Sequence, residues 1–409
     1  MDVLYPRCCG IDVHKASVVA CLRIQEGRRA RIDVRTFGTT TGELLQLHAW
    51  LVESGCTHVA IESTGVYWKP VFNLLEGSVE VVLANPFHIK AVPGRKTDVK
   101  DGEWLADLLA HGLIRASFIP PTEIRVLRDL TRHRKSLIRD RVTTVNRIHK
   151  LLETSNVKLA TVVSDIMGVS GRAMLNALVA GERDPHVLAR YARGCLIPKV
   201  RQLAEALAGR FTEHHAFLLG QLLTHVDHLA ALITDCDQRI TTSISVHREA
   251  LQRLQTIPGV GRRSAEVIIS EIGVDMSRFA SSGHLASWAR ICPGTHESAG
   301  KRQSAGTGIG NNWLRTTLLE SAWAASHART TYLGAQYRRL AKRRGPKRAA
   351  VAVAHSILVI AFHILRDRHE YTDLGPDYFD RVNVTKLRRY HLRRLADLGC
   401  DVSALATSA

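Results

Sequence analysis

CCGIDVHKASVVACLRIQEGRRARIDVRTF, residues 8–37, contains three short runs rich in β-branched residues, CCGIDV, ASVVACLRI and RIDVRTF, separated by turn residues. Runs of this kind read as strands, so the chain opens on three of them. The period then changes: TTGELLQLHAWLVESG has helical spacing of apolar residues and ends on a glycine stop. Beyond it THVAIES reads as a strand, VYWKPVFNLLEG as a helix, VEVVLA as a strand and DGEWLADLLAHG as a helix. The order of three strands, helix, strand, helix, strand, helix predicts an α/β domain over residues 1–121, a mixed sheet with covering helices.

From residue 122 the pattern is helical and cationic. In RVLRDLTRHRKSLIRDRVTTVNRIHKLLE, residues Leu127, Leu130, Leu137, Ile138, Val145, Ile148 and Leu152 mark an apolar stripe on a basic helix. The helical reading runs to residue 250 with breaks near Gly168–Gly171, Gly181–Pro185 and Pro198, and predicts an all-α hairpin or coiled-coil region over 122–250. Residues 251–375 form a further, mainly helical domain, and 376–409 a basic C-terminal tail containing KLRRYHLRRL.

Composition limits what such a chain does. Its 409 residues and 45% hydrophobic content suit two or three folded domains. Fifty-six Lys plus Arg against 38 Asp plus Glu leave a formal charge of +18, more than solubility requires, and point to a polyanionic partner. Arginine dominates the cations, which favours bidentate contacts to phosphate. The eight cysteines, Cys8, Cys9, Cys21, Cys56, Cys195, Cys236, Cys292 and Cys400, show neither CxxC pairing nor zinc-type spacing, and read as the reduced, mostly buried thiols of a cytosolic protein. The start of the chain lacks the pattern of a secretory signal, and no run of about 18 apolar residues stands out, so a membrane is not the expected polyanion.

Four carboxylates in the first domain lie where strands end or helices begin. Asp12 is in the first strand, Glu62 ends the fourth, and Asp98 and Asp101 are three residues apart in KTDVKDGEWLADLLAHG, a spacing that puts two side chains on one helical face. Clustered oxygen ligands suit Mg²⁺ or Mn²⁺ and the phosphoryl-transfer chemistry that such ions support. A strand-end Asp also occurs without function, and acids in a first helical turn also complement the helix dipole. Taken together, the four match the Asp-Glu-Asp-Asp arrangement of RNase H-like nucleases, whereas Asp107, two turns further on, reads as a bystander.

Two stretches of the C-terminal domain suit phosphate. LQTIPGVGRRSAEVIISEIG has the form of a helix-hairpin-helix, in which Gly259 and Gly261 allow backbone N–H groups to approach a phosphate and Arg262 and Arg263 add charge; an ordinary turn between helices also uses glycine. CPGTHESAGKRQSAGTGIGNNWLR, residues 292–315, combines glycines, the serines Ser298 and Ser304, and the cations Lys301, Arg302 and Arg315. By composition it is a flexible surface loop; by chemistry it is a cradle in which cations could hold a phosphate under attack. The basic runs at 338–348 and in the tail read equally as solvated faces or nucleic-acid contacts. Trp104, Trp288, Trp313 and Trp323 fall on apolar helical faces and are expected in the core, and none of the 20 histidines has ligand spacing.

In this order GIDVHK, AIESTGVYW, NPFHIKAVPGRKTDVKDGEWLADLL, PGVGRRSAEVIISEIG and CPGTHESAGKRQSAGTGIGNNWLR resemble the transposases of the insertion-sequence-110 type. The resemblance covers about residues 8–120 and 250–330. It implies an N-terminal RuvC-like, RNase H-fold domain whose four acids, here Asp12, Glu62, Asp98 and Asp101, hold Mg²⁺ or Mn²⁺. It also implies a C-terminal transposase domain whose serine attacks DNA, with Ser298 in the matching position and Ser304 as the competitor. The partners implied are donor and target DNA, a structured guide (bridge) RNA and further copies of the chain, as a dimer or tetramer. Two other readings stay open: a metal-dependent junction endonuclease in which the serine loop only binds phosphate, and a nucleic-acid-binding scaffold whose acids are structural.

Overall fold

The computed structural model describes residues 2–27, 29–63, 65–85, 89, 101–292, 296–298, 301–303, 310–382 and 384–399. The chain divides into two compact units, Met1–Ile119 and Pro120–Ala409. In the first, strands β1 (Arg7–Val13), β2 (Ser17–Glu26) and β3 (Arg29–Gly38) are followed by α1 (Thr41–Glu53), β4 (His58–Glu62), α2 (Trp68–Leu75), β5 (Glu80–Ala84) and α3 (Asp101–Ala110). This is the element order that the sequence predicts. The five strands form one mixed sheet in the order β3-β2-β1-β4-β5, antiparallel on the β3-β2-β1 side and parallel from β1 through β4 to β5.

Strand alternation sorts the side chains to two faces. Cys9, Ile11, Val59 and Ile61 pack with Leu44, Leu47, Trp50 and Leu51 of α1 and Val71 and Leu75 of α2. On the opposite face Cys8, Ala60 and Ala84 pack with Leu105, Leu108 and Leu109 of α3. The closeness of α3 depends on a glycine in the central strand: a Cβ at Gly10 would stand 2.1 Å from the Gly102 carbonyl oxygen and 2.5 Å from the Ala106 nitrogen. Gly10→Ala therefore must push α3 off the sheet. It is expected to cost about 1–3 kcal/mol, the usual penalty for overpacking, measured by equilibrium denaturation of the full chain.

The second unit is helical. Its elements are α4 (Thr122–Thr154), α5 (Val169–Val179), α6 (Pro185–Ala189), α7 (Val200–Leu207), α8 (Glu213–Ser243), α9 (Arg248–Gln255), α10 (Arg262–Ile272) and α11 (Ser282–Trp288). A short hairpin, β6 (His296–Ser298) and β7 (Lys301–Gln303), precedes α12 (Asn312–His327), α13 (Tyr332–Arg344), α14 (Pro346–Asp367), α15 (Tyr378–Val382) and α16 (Val384–Asp397). The long helices α4 and α8 pack antiparallel: Leu137 meets Leu229 and Ile233, while Ile148 and Leu152 share a core with Leu219, Leu223 and Val226. The stripe on α4 differs from its sequence reading in one respect. Thr131, Arg134 and Thr144 are buried along it, whereas Leu130, Ile138 and Val145 are only half-buried.

Among the described residues two helices, α8 and α14, are long and apolar enough to cross a membrane. In this fold α14 is a core helix, with Ala350, Val353, Ala354, Ile357, Leu358, Ala361 and Phe362 all buried. Of the described cysteines Cys8, Cys9, Cys21 and Cys56 are buried, and all seven are free. Burial pushes the Cys8 thiol up to about 11 and Cys56 to about 12, so neither forms a thiolate readily. The tryptophans do not all follow expectation. Trp323 is 47% exposed on α12 against Tyr337 of α13, and Trp313 is half-buried with the Arg132 and Arg139 guanidinium groups 5.9 Å from its ring centre. Cationic neighbours on α4 hold Trp313 where an apolar core was expected.

Candidate active site

In the first unit the sheet sets two of the four acids side by side. β1 and β4 run parallel with Ile11 opposite Ile61, so Asp12 and Glu62 follow at the carboxyl ends of neighbouring strands. Because Ile11 and Ile61 face α1 and α2, alternation turns Asp12 and Glu62 to the opposite face, the one covered by α3. Asp101 is the first residue of α3, which the Gly10–Gly102 contact holds against β1. Carboxyl ends of parallel strands next to a change in strand direction are where open α/β sheets carry their ligands; β1, antiparallel to β2 and parallel to β4, is that position here.

Asp12 is 28% exposed, and its Oδ2 lies 3.1 Å from Nε2 of His14, a neighbour that spacing did not single out. Asp98 lies outside the described residues, so its pairing with Asp101 on one helical face is not seen. Among the described residues no three His, Cys, Asp or Glu side chains are close enough together to hold an ion. Among the described residues Asp12, Glu62 and Asp101 offer carboxylate oxygens, the donors a hard divalent cation prefers. Asp107 is engaged away from Asp12 on the same face of the sheet: it pairs with Arg23 at 3.6 Å and with His111 of its own helix.

In the second unit the expected flexible loop contains regular structure. β6 and β7 pair antiparallel, His296 with Gln303, Glu297 with Arg302 and Ser298 with Lys301. A two-residue connection, Ala299-Gly300, links them, so the backbone of Ser298 closes the hairpin directly opposite Lys301, with Arg302 next along the strand. Ser304 follows β7 and lies outside the described residues. Arg315 is in the first turns of α12, which Asn311 caps by accepting a hydrogen bond from the Leu314 N–H.

The PGVG turn between α9 and α10 divides its two glycines by role. Gly259 has φ +87°, and a Cβ there would stand 2.3 Å from the Ser321 carbonyl oxygen, so its bareness seats the turn against α12 rather than against a ligand. Around Gly261, which caps α10, nothing lies within 4 Å of the corresponding point. Arg262 donates to Glu266 at 3.0 Å and to Thr241 at 2.8 Å, and Arg263 to Asp237 at 2.7 Å. Burial opposes it, but hydrogen bonds from Arg134 and Arg263 hold the Asp237 carboxyl below its ordinary value. Both arginines therefore belong to an intramolecular network, although each side chain is still more than half exposed.

That network was not visible in the sequence. Arg134, buried on α4, donates to Glu266 at 2.6 Å and to Asp237 at 2.7 Å. Glu271, fully buried on α10, accepts from Nε and Nη2 of Arg132 at 2.7 and 2.8 Å and from Nδ2 of Asn311 at 2.6 Å. The only sequence signal is an acid at positions 266 and 271 inside a helix otherwise rich in isoleucine and valine.

The transposase family model DEDD_Tnp_IS110 matches residues 9–157, and the model for transposases of the IS116/IS110/IS902 family matches residues 251–338. The chain is 26% identical over 324 residues to a transposase for insertion sequence element IS1111A from Coxiella burnetii, covering 78% of this chain and 79% of that one. It is 22% identical over 377 residues to a pilin gene-inverting protein from Moraxella bovis, covering 88% of this chain and 96% of the relative.

Proposed function

The chain belongs to the IS110 family of transposases, and we propose that it exchanges DNA strands through a covalent bond to Ser298, assisted by Asp12, Glu62, Asp98 and Asp101. The observation that carries the reading is the β6–β7 hairpin, whose register sets Ser298 directly opposite Lys301, with Arg302 next along β7. The Ser298 hydroxyl oxygen attacks a DNA phosphorus, the bond to one deoxyribose oxygen breaks, and that oxygen leaves as a hydroxyl after taking a proton. Rejoining is the reverse: a deoxyribose hydroxyl of the partner strand attacks the phosphoserine and releases Ser298. A serine is a weak nucleophile, so the step needs cations on the non-bridging oxygens, a role that Lys301, Arg302 and Arg315 fill. The backbone N–H groups around Gly261, with Arg262 and Arg263, give a sequence-independent phosphate contact of the helix-hairpin-helix kind.

The acids of the first unit would hold Mg²⁺ or Mn²⁺ through carboxylate oxygens, and a bound ion there supplies Lewis-acid stabilisation of phosphoryl oxygens. The first unit is read as RuvC-like because its acids lie at the ends of β1 and β4 and at the start of α3 on one face of a mixed sheet. The +18 charge suits DNA together with a structured guide RNA, whose base pairing would read sequence while arginines read the backbone. A relative named for inverting a pilin gene supports DNA strand exchange as the reaction, and further copies of the chain would complete the assembly that performs it.

The test is a denaturation-resistant protein–DNA adduct, formed with Mg²⁺ and with the RNA that copurifies with the protein, which sequencing identifies. Wild type and Ser304→Ala should form it and Ser298→Ala should not. An adduct that survives in Ser298→Ala but is lost in Ser304→Ala moves the nucleophile to Ser304. DNA cleavage without any adduct returns the reading to a junction endonuclease, and no cleavage by any form to a scaffold.

A further inference from the structure

The segment that carries Ser298 leaves and re-enters the helical unit at a single point. It departs after Ile291, which is buried, and Cys292, whose thiol donates to the Ala286 carbonyl. It returns at Gly310, where a Cβ would stand 2.5 Å from the Arg290 Cβ and 2.8 Å from the Ala289 carbonyl oxygen. Arg290 itself takes a left-handed φ of +53°, a conformation that a residue other than glycine adopts only when its surroundings enforce it. The next residue, Asn311, is held at both ends of its side chain. Its Oδ1 accepts from the Leu314 N–H at 3.1 Å and caps α12, and its Nδ2 donates to Oε2 of Glu271 at 2.6 Å. Glu271 in turn is fixed by the two-point contact from Arg132, and Arg128 donates to the carbonyl oxygens of Ser270 and Glu271 at 3.1 and 2.7 Å.

The side-chain oxygen alone would complete the cap, as Ser or Asp does at this position in other helices. The amide nitrogen does something further: it locks the re-entry of the hairpin segment to a buried charge on α10 and, through Arg132, to α4. We infer that Asn311 is a positioning residue for the Ser298 hydroxyl, an inference that rests on the reading of Ser298 as nucleophile. The Asn311–Glu271 bond fixes where the segment ends, and the β6–β7 pairing sets Ser298 opposite Lys301 within it. Attack on phosphorus tolerates little displacement, since a shift of about 1 Å in a reacting group costs on the order of 100-fold in rate.

Asn311→Ser separates the two halves of this side chain, because serine keeps the cap and has no amide to reach Glu271. It is expected to slow adduct formation roughly 10- to 100-fold while DNA affinity and thermal midpoint stay near wild type. Amide exchange at residues 296–298 and 301–303 of the free protein should speed up, with the rest of the chain unchanged. Asn311→Asp, which sets a carboxylate against Glu271, should show the same effects more strongly. Wild-type adduct rates with wild-type exchange in Asn311→Ser overturn the inference, and so does a parallel fall in affinity, midpoint and rate, which marks a merely structural residue. The exchange readout needs no chemistry: if wild type forms no adduct at Ser298, faster exchange confined to the hairpin still upholds the anchoring role, and unchanged exchange ends it.

Discussion

Asp12→Asn should abolish strand exchange and leave the fold intact. The side chain is 28% exposed at the carboxyl end of the central strand, with His14 Nε2 as its neighbour at 3.1 Å. Asparagine has the same shape and can keep that neighbour, so little packing is lost. What disappears is one negative charge beside Glu62, and with it an anionic oxygen for a divalent cation. Loss of Lewis-acid stabilisation worth several kcal/mol corresponds to roughly 10³-fold or more in rate. Stability should stay within about 0.5 kcal/mol of wild type, or rise slightly as repulsion between neighbouring carboxylates falls. Strand exchange assayed with Mg²⁺, alongside thermal denaturation, checks both halves. Asp107→Asn is the control on the same face: it faces Arg23 and His111, so it should leave exchange near wild type. If the two variants lose activity equally, the acids of this unit act through the fold and not through an ion.

The contrast between Asp12 and Asp107 shows what a sequence can carry. Strand ends were legible because β-branched runs stop at turn residues, and an acid at such an end is easy to single out. The five strands, the helices between them and the break points of the middle region follow from periodicity and glycine alone. Contacts made by partners far apart in the chain were not legible. Gly10 and Gly102 are each unremarked glycines until the helix lies on the strand and their backbones touch. Gly259 looked like a phosphate-facing residue because a turn glycine carries no label for which side it bares; in the fold it bares that side to Ser321 and Ala325 of α12. The three-residue strands HES and KRQ have no apolar alternation, so the hairpin that holds Ser298 read as loop. Nothing in the sequence marks the α4 arginines as buried: helical periodicity sorts residues by polarity, and nothing local tells Arg134 apart from its exposed neighbour His133. Their acidic partners on α10 lie more than 130 residues away.

Those distant partners set the largest stability effect expected in the second unit. Glu271→Ala removes a carboxylate with no exposed surface that takes charged hydrogen bonds from Arg132 and an amide bond from Asn311. The cavity is small beside the electrostatic loss: Arg132 and Arg128, 31% and 16% exposed, keep their charges in a partly dry site without the anion that balanced them. Burial already pulls the Arg128 guanidinium down to about 10, opposed by Glu271, so removing Glu271 deepens that penalty. Breaking one side of a buried ion pair costs about 3–5 kcal/mol, a large share of the about 5–15 kcal/mol that holds a typical domain together. Glu271→Gln keeps the shape and one acceptor oxygen for Asn311 or Arg132, so its cost should fall clearly below that of alanine. Denaturant unfolding of the full chain, followed by helical circular dichroism, measures both. A loss under about 1 kcal/mol in Glu271→Ala would mean that water reaches Arg128 and Arg132 and that the carboxylate is no hub. A loss near 4 kcal/mol with a smaller one in Glu271→Gln places the charge itself, and not the volume of the side chain, at the junction of α4, α10 and α12.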